Sequence, residues 1–391
     1  MKPTINFFPV GNGDMTLIKL ADKTTILIDI NICNGSEDDD DSSKLDASKE
    51  LRGMLETDEG RPYVDAFLLS HPDQDHCRGL QKHFHLGPLS TYNDNPPEGE
   101  ELKIIMREIW SSPMIFRRAS KNHTLCEDAK AFNTEAKRRV KLFRENGYCS
   151  DGDRIRIIGE DEAGKTDGLE SILVKIDEVF TSINGKENSE IAMRVLGPIP
   201  VQDDEVLEEK LKKNHSSVIL QYAFTVSGHS NACLFLSGGD AEVYIWEKVW
   251  NRKKNITSDI QFDLMLAPHH CSWHTLSYDS WSKDKAPKVT PDAKLALSQA
   301  RDGAVIVASS NPIKNDKNDP PCWGAKEEYE SILDSVGGQF FCTGEYQNAA
   351  APEVLTFKIT PQGAQEPAKK SAAISGAAVG AGSAKEPRHH G

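Results

Sequence analysis

The run His71-Pro72-Asp73-Gln74-Asp75-His76 constrains this chain more than any other sequence feature. It follows residues 66–70, an apolar run of the length expected for a buried strand. Sheets of α/β proteins usually place their chemistry at the carboxyl ends of strands. Two imidazoles and two carboxylates are good ligands for zinc, manganese or iron. The alternative is a solvated polar loop, but the pattern favours a metal site at a strand end.

Two later strand ends carry side chains of the same kind. Residues 232–236 are followed by Ser237, two glycines and Asp240, and residues 262–267 lead to His269 and His270. The glycines leave the backbone room, which suits a carboxylate that bridges two cations. Such a bridge holds two ions roughly 3.5 to 4 Å apart, and water between them becomes a nucleophile near neutral pH. We therefore expect hydrolytic chemistry, in which the pair His269 and His270 supplies an imidazole to one ion.

The middle of the chain is basic, although the whole chain has a net charge of -14. That total argues against a protein that coats nucleic acid over its entire surface, but it leaves room for a local basic groove. Residues 103–156 contain 13 Lys or Arg and 7 Asp or Glu, and residues 125–146 have helical spacing. We interpret residues 81–200 as a helical, basic insertion or cap. Its candidate nucleic-acid contacts, which form a solvated helix face in the alternative interpretation, are Arg117, Arg118, Lys137, Arg138 and Lys141.

The chain carries no signal that places it in a membrane or an oxidising compartment. Residues 1–20 lack the basic start and apolar core of a signal peptide, and no window reaches the ~20 apolar residues of a membrane span. The 8 cysteines show no CxxC pair. We expect a cytoplasmic protein with one domain at residues 1–360. Residues 361–391 are rich in Ala, Gly, Ser and Lys, and we expect a disordered tail.

The order of these motifs resembles the metallo-β-lactamase superfamily over roughly residues 1–360. Within it, the sequence is most similar to the hydrolase domain of the DNA-uptake channel ComEC and its free-standing relatives. The resemblance implies an α+β fold, an αββα sandwich with two mixed β-sheets flanked by helices. The segments that resemble the opening glycine turn and the first, second, fourth and last motifs are Val10-Gly11-Asn12-Gly13-Asp14, Ile28-Asp29, His71 to His76, Ser237 to Asp240, and Pro268 to Ser272.

The resemblance also implies a ligand set for two divalent metal ions, zinc or manganese. His71 and Asp73 would bind one ion, Asp75 and His76 the other, and Asp240 would bridge them. His269 or His270 would complete the second site. In this superfamily the first-motif aspartate, here Asp29, usually forms hydrogen bonds that support the metal loop, residues 71–76 in this chain, instead of binding metal.

Two departures from the family pattern affect this assignment. Asp73 stands where many members have histidine, and the additional oxygen ligand tilts the preference towards manganese. The third-motif ligand is open, because either Asn214 or His215 could serve before the strand that leads to Asp240. We favour His215 as the ligand and assign Asn214 a supporting role.

These features predict a nuclease or phosphodiesterase that acts on DNA or RNA through a metal-activated water. Two cations can stabilise both the attacking and the leaving oxygen of a phosphodiester. Asp75, His269 and His270 are the candidate catalytic residues, and the spare histidine would protonate the leaving oxygen or steady the phosphate. The family likeness also suggests antiviral defence. Alternatives are a small-molecule hydrolase for a cyclic nucleotide, phosphorylated metabolite or lactone, and a metal-stabilised module that engages partner proteins through residues 81–200.

Overall fold

The computed structural model describes residues 1–33, 45–120, 124–161, 164–202 and 205–365. Most of the tail expected at residues 361–391 lies outside these residues. No helix in the described ranges is both long enough and apolar enough to cross a membrane.

The strands of the described residues are short, and each contains two to nine residues. In chain order they are Thr4–Phe7 (β1), Thr16–Lys19 (β2), Thr25–Ile28 (β3), Ile30–Asn31 (β4), Glu56–Asp58 (β5), Arg61–Leu68 (β6), Ile105–Ser111 (β7), Arg154–Ile158 (β8), Leu173–Val174 (β9), Val179–Phe180 (β10), Ser182–Ile183 (β11), Lys186–Glu187 (β12), Ile191–Gly197 (β13), Ile219–Val226 (β14), His229–Ser237 (β15), Phe262–Leu266 (β16), Ala300–Ala308 (β17), Gln339–Cys342 (β18), Leu355–Thr360 (β19) and Gly363–Gln365 (β20).

The helices range from single turns to five-turn elements. They are Ala47–Met54 (α1), Gln74–Cys77 (α2), Leu80–His83 (α3), Pro113–Ser120 (α4), Glu127–Asn146 (α5), Glu205–Lys210 (α6), Val243–Lys253 (α7), Pro268–Cys271 (α8), Pro291–Leu297 (α9) and Trp323–Asp334 (α10). Short 3₁₀ turns lie at Leu89–Thr91, Asn214–Ser216, Thr257–Asp259, Trp273–Thr275 and Thr343–Glu345.

The fold is mixed α+β and is built on two mixed sheets. The ten-stranded sheet has the order β20-β19-β1-β2-β3-β6-β7-β8-β9, with β5 paired to β6. Its strands β3, β6, β7, β8 and β9 are parallel neighbours, and the pairs on the β1 side are antiparallel. The seven-stranded sheet has the order β10-β13-β14-β15-β16-β17-β18 and is parallel from β15 onwards.

Alternating side chains divide the apolar core of the seven-stranded sheet into two layers. In β16, Leu264 and Leu266 join a core shared with the ten-stranded sheet, whereas Met265 joins a second core on the opposite face. This two-residue period is the geometry of an extended strand. In the shared core, the ring of Phe235 on β15 packs 5.8 Å from that of Phe7 on β1. The two sheets therefore pack face to face.

Helices cover the other faces of both sheets. The ring of Phe132 on α5 lies 5.8 Å from that of Phe67 on β6. On the seven-stranded sheet, Trp246 of α7 and Tyr329 of α10 belong to the second core. Helix α5 begins at Glu127 after the Cys126 cap and ends at Asn146, before the cap residue Gly147, whose positive φ of 74° suits a residue without a Cβ.

Residues 81–200, which we expected to form an insertion or cap, contribute to both sheets. Strands β7, β8 and β9 extend the ten-stranded sheet, and β10 and β13 form one side of the seven-stranded sheet. Helix α5 is the long helix predicted for this region. The segment is thus continuous with both layers of the core.

The strand ends that precede the sequence motifs all lie at one edge of the sheets. Strand β6 leads to His71, β15 to Asp240 and β16 to His269. The turn between the antiparallel strands β1 and β2 places Asp14 at the same edge as the carboxyl end of β3. Side chains from distant parts of the sequence meet there for this reason.

Candidate metal centre

Six buried or partly buried side chains form two groups that share one carboxylate. We call one the inner set and the other the outer set. In each set, one ligand atom from every residue lies within 4.8 Å of the others. The inner set consists of Asp14, His76, Asp240 and His270, all buried, and the outer set consists of His71, Asp73 and Asp240.

The carboxylate of Asp240 divides its two oxygens between the two sets. Its Oδ1 lies 3.2 Å from Nε2 of His76 and 3.5 Å from Nε2 of His270. Its Oδ2 lies 3.3 Å from Nε2 of His71 and 3.6 Å from Nε2 of His269. The Asp240 side chain is only 3% exposed. This is the environment expected of a carboxylate that bridges two cations.

Asp29 fixes the orientation of two of the histidines. Its Oδ2 lies 2.8 Å from Nδ1 of His76 and accepts a 2.5 Å hydrogen bond from Oγ of Ser70. The same Ser70 Oγ lies 3.1 Å from Nδ1 of His71. Both imidazoles can thus direct Nδ1–H towards this network and keep Nε2 as a free ligand atom. Asp29 belongs to neither set, and its position suits the supporting role expected for it.

His269 and His270 point to different parts of the centre because the backbone turns sharply there. Both residues have positive φ, 53° and 52°, which is costly for residues with a Cβ. The backbone N–H of His269 donates to the carbonyl of Gly239 at 3.0 Å. His270 is buried, with Nδ1 3.2 Å from the carbonyl of Ser309, and His269 is partly exposed. The structure thus brings His270 into the inner set and leaves His269 beside it.

Asp14 enters the inner set because the glycine turn lies against the metal loop. The backbone N–H of Asp14 donates to the carbonyl of Asp75 at 3.2 Å. A Cβ on Gly13 would lie only 2.7 Å from that carbonyl oxygen and 2.2 Å from Nδ2 of Asn31. The Oδ1 atom of Asp14 is 3.3 Å from Nδ1 of His270. Glycine at position 13 is therefore required for this close approach.

The donor atoms fit divalent cations. Among the described residues, Nε2 of His71 and Oδ1 of Asp240 are buried without a hydrogen bond, which is costly unless another partner is present. Burial acts to raise the pKa of Asp240, but the surrounding histidines, led by His269, outweigh it and hold the pKa well below its usual range. Imidazole and carboxylate are ligands of zinc and manganese. The inner and outer sets therefore form a buried Asp/His cluster that can hold metal.

The histidines respond to the same carboxylates. Burial acts to lower the pKa of His76, but Asp240 and Asp29 outweigh it and raise the pKa well above its usual value. For His270, burial is likewise outweighed by Asp240 and Asp14, which raise the pKa to about 10. The carboxylates of Asp14, Asp29 and Asp240 thus stabilise positive charge at this point of the structure.

Asp75 lies beside the inner set and does not belong to it. Its Oδ2 is 3.4 Å from Nε2 of His270, and its side chain is 33% exposed. Burial acts to raise the pKa of Asp75, but the contact with His270 outweighs it, so the pKa lies below its usual range. Asp75 is therefore an ionised carboxylate at the opening of the centre.

The third-motif region places a lysine, not a histidine, at the centre. The Nε2 of His215 lies 3.6 Å from Glu242, and Nδ2 of Asn214 donates to the same carboxylate at 3.0 Å. Neither residue belongs to the inner or outer set. The Nζ of Lys213 instead bonds Oδ2 of Asp73. Lys213 and Asp14 lie at the centre although the sequence analysis assigned neither of them a role there; Asp14 is the last residue of the segment that resembles the opening glycine turn.

Three of the five residues predicted to contact nucleic acid form ion pairs with carboxylates of the protein itself. Arg117 bonds Asp161 at 2.7 Å, Arg118 bonds Glu208 at 2.9 Å, and Arg138 bonds Glu135 at 2.6 Å. The Arg118 side chain is fully buried. The remaining two are exposed lysines on α5, Lys137 and Lys141.

The chain has distant likenesses among the solved structures. No protein-family model and no curated protein matches the chain. The chain is similar to the solved structure of Igni18, a metallo hydrolase from the archaeon Ignicoccus hospitalis, at 10% identity and a TM-score of 0.37, covering 91% of this chain and 100% of that one. It is also similar to unliganded yeast PDE1, at 12% identity and a TM-score of 0.37, covering 88% and 98%. Neither likeness is close enough to assign a fold or an activity.

Proposed function

We propose that this protein is a metal-dependent hydrolase of the metallo-β-lactamase fold, an αββα sandwich, and that it cleaves phosphodiester bonds. The observation that carries the proposal is the carboxylate of Asp240, whose two oxygens face separate histidine groups. The strand-end position of the ligands on both sheets supports the fold assignment. The order of the motifs along the chain agrees with it.

The inner and outer sets would each hold one divalent ion, with Asp240 as the bridge. Two such ions, when bound, activate water near neutral pH and stabilise the attacking and leaving oxygens of a phosphodiester. Two of the three outer ligands, Asp73 and Asp240, are carboxylates, and this favours manganese as well as zinc.

His269 and Asp75 are the side chains placed to handle protons and substrate at the opening. His269 is 15% exposed, and its Nδ1 makes no hydrogen bond to another described residue. It can therefore turn a ring N–H towards a leaving oxygen. Asp75 carries a negative charge at the rim and can orient water by accepting a hydrogen bond. His270 is buried with the ligands, so we assign it to metal binding.

The size of the substrate depends on the basic residues outside the centre. A nuclease would use Lys137 and Lys141, which lie about 14 and about 20 Å along α5 from Asp128 at the end nearest the metal loop. A polymer several nucleotides long could reach them. The second candidate is a hydrolase for a small diester such as a cyclic nucleotide, which the internal ion pairs of Arg117, Arg118 and Arg138 favour.

The test is cleavage of labelled single- and double-stranded DNA and RNA, alongside a bis-aryl phosphodiester, with added manganese, zinc or magnesium. Asp240→Ala should abolish turnover, while Asp302→Ala, which changes an exposed aspartate of the seven-stranded sheet, should leave it intact. Turnover of the small diester alone would select the second candidate. The proposed function would be refuted if none of these phosphodiesters were cleaved with any of the three metals.

A further inference from the structure

We infer that Lys213 binds the anionic group of the substrate at the outer set, an inference that rests on the proposed hydrolase function. Its ammonium holds the Asp73 carboxylate in the structure. If Asp73 bound a divalent cation, the Lys213 ammonium would be available to an oxygen of a phosphoryl group. The substrate class is therefore an anionic phosphate ester, with one oxygen on the ammonium.

The position of Lys213 is set by the backbone around it. The carbonyl of Lys213 accepts a 2.9 Å hydrogen bond from the N–H of Ser216 in the short turn Asn214–Ser216, which leads to β14. Ser216 is fully buried. The anchored backbone directs the lysine side chain towards the outer set, so its contact with Asp73 is not that of a freely moving surface residue.

The ammonium has binding capacity that Asp73 does not use. A lysine ammonium has three N–H donors, and Asp73 is the one polar partner of Nζ among the described residues. The side chain is 27% exposed and that of Asp73 is 18% exposed. Two donors can therefore face a ligand that enters from the opening. A compact ammonium is well suited to a single phosphate oxygen.

Electrostatics at the opening favours this assignment. Among the described residues, Lys213 is the one lysine or arginine that forms an ion pair with a member of either ligand set. Asp75 and Glu242, two acidic residues near the ligand sets, have partly exposed side chains. Without Lys213 they would repel an anion that approaches the centre. A cation on Asp73 and the ammonium beside it together present positive charge to that anion.

Direct binding of inorganic phosphate to the metal-loaded protein tests the inference without relying on turnover. Calorimetric titration should show that Lys213→Met weakens phosphate binding by about 10-fold or more, and that Lys213→Arg retains most of it. The matched control is Lys212→Met, which removes the neighbouring exposed lysine and should leave phosphate affinity unchanged. Equal phosphate affinity in Lys213→Met and the unchanged protein, or no phosphate binding by the loaded protein, would overturn the inference.

A comparison of substrates separates substrate binding from a structural role. Lys213→Met should raise KM for an anionic aryl phosphodiester and leave kcat/KM for a neutral aryl ester unchanged. Equal losses on both substrates would show that the lysine only supports Asp73, and would overturn the inference. If phosphate binding depends on Lys213 but no phosphodiester is cleaved, the hydrolase proposal fails and the anion site stands. Thermal unfolding of each variant, with circular dichroism, checks that the fold is retained.

Discussion

The Nε2 atoms of His76 and His270 lie 3.2 Å apart inside the protein, although the two residues follow strands of different sheets, β6 and β16. The Nδ1 of His76 faces Asp29, and that of His270 faces the Ser309 carbonyl and Asp14. Two unprotonated nitrogens at this distance would turn their lone pairs towards each other. A proton or a metal ion between them resolves the conflict, and the adjacent Asp240 favours either one.

The shared carboxylate predicts different metal stoichiometries for two aspartate variants. Asp240→Ala should abolish tight binding of both ions, because Asp240 belongs to both sets. Asp73→Ala should remove only the outer ion. Calorimetry with manganese or zinc, combined with elemental analysis, measures the number bound. One ion held by Asp240→Ala with unchanged affinity would show that Asp240 does not bridge.

Asp29→Asn should weaken metal binding although Asp29 is not in either set. The amide cannot accept hydrogen bonds from His76 and Ser70 in the same way, so the ligand nitrogens lose their orientation. Loss of such supporting contacts typically costs 10- to 100-fold in affinity. The control is Asp65→Asn on β6, whose carboxylate accepts a hydrogen bond from the N–H of Thr25 and lies outside both sets. Equal affinity in the two variants would remove Asp29 from the metal centre.

Metal affinity should rise with pH. The pKa of His270 is raised to about 10, so at pH 7 a bound ion must displace a proton. One displaced proton increases the affinity about 10-fold per pH unit, or about 100-fold from pH 6 to pH 8. Calorimetry in buffers of different ionisation enthalpy counts the protons released. A flat affinity over this range would contradict the prediction.

The same raised pKa has the opposite consequence for the metal-free protein. His270 contributes stability that is fully present below its unfolded pKa of 6.5 and is lost as the pH rises towards about 10. Metal-free protein should therefore unfold more easily at pH 9 than at pH 6. Urea unfolding at both values, with a chelator present, measures the difference. Ions added at pH 9 should restore stability.

Gly13→Ala should destabilise the protein and weaken the inner set. The new Cβ would meet Asn31 and the carbonyl of Asp75, so Asp14 would have to move. Overpacking of this kind typically costs about 1 to 3 kcal/mol. Gly53→Ala is the control, because no atom lies within 4 Å of its added Cβ, and in helix α1 alanine should stabilise by about 0.5 to 1 kcal/mol. Unchanged metal affinity in Gly13→Ala would exclude Asp14 as a ligand.

The sequence predicts the strand ends of the centre well because local signals define them. An apolar run followed by His71, by Asp240 or by His269 can be recognised without knowledge of the fold, and strands β6, β15 and β16 precede these residues in the structure. Asp14 cannot be recognised in this way, because it lies in a glycine turn and does not follow an apolar run directly. Only the antiparallel pairing of β1 with β2 brings that turn to the edge where β3 and β6 end.

Long-range ion pairs limit what the basic middle of the chain can reveal. Arg118 and its partner Glu208 are 90 residues apart, and Arg117 and Asp161 are 44 apart. A count of charges in one segment cannot include such partners. Lys213 shows the reverse case. Its neighbours Asn214 and His215 have side chains that can bind metal, but the contact of Lys213 itself with Asp73, 140 positions away, has no local sequence signal.

The division of the inner set between two sheets also has a consequence for synthesis. His270 follows His76 by 194 positions. A ribosome that adds about 5 to 20 residues per second needs about 10 to 40 s to cover that interval. Until Asp240 is added, 30 positions before His270, the growing chain offers an ion only Asp14 and His76 of the inner set. Stable metal capture is therefore a late event, timed by the emergence of the second sheet.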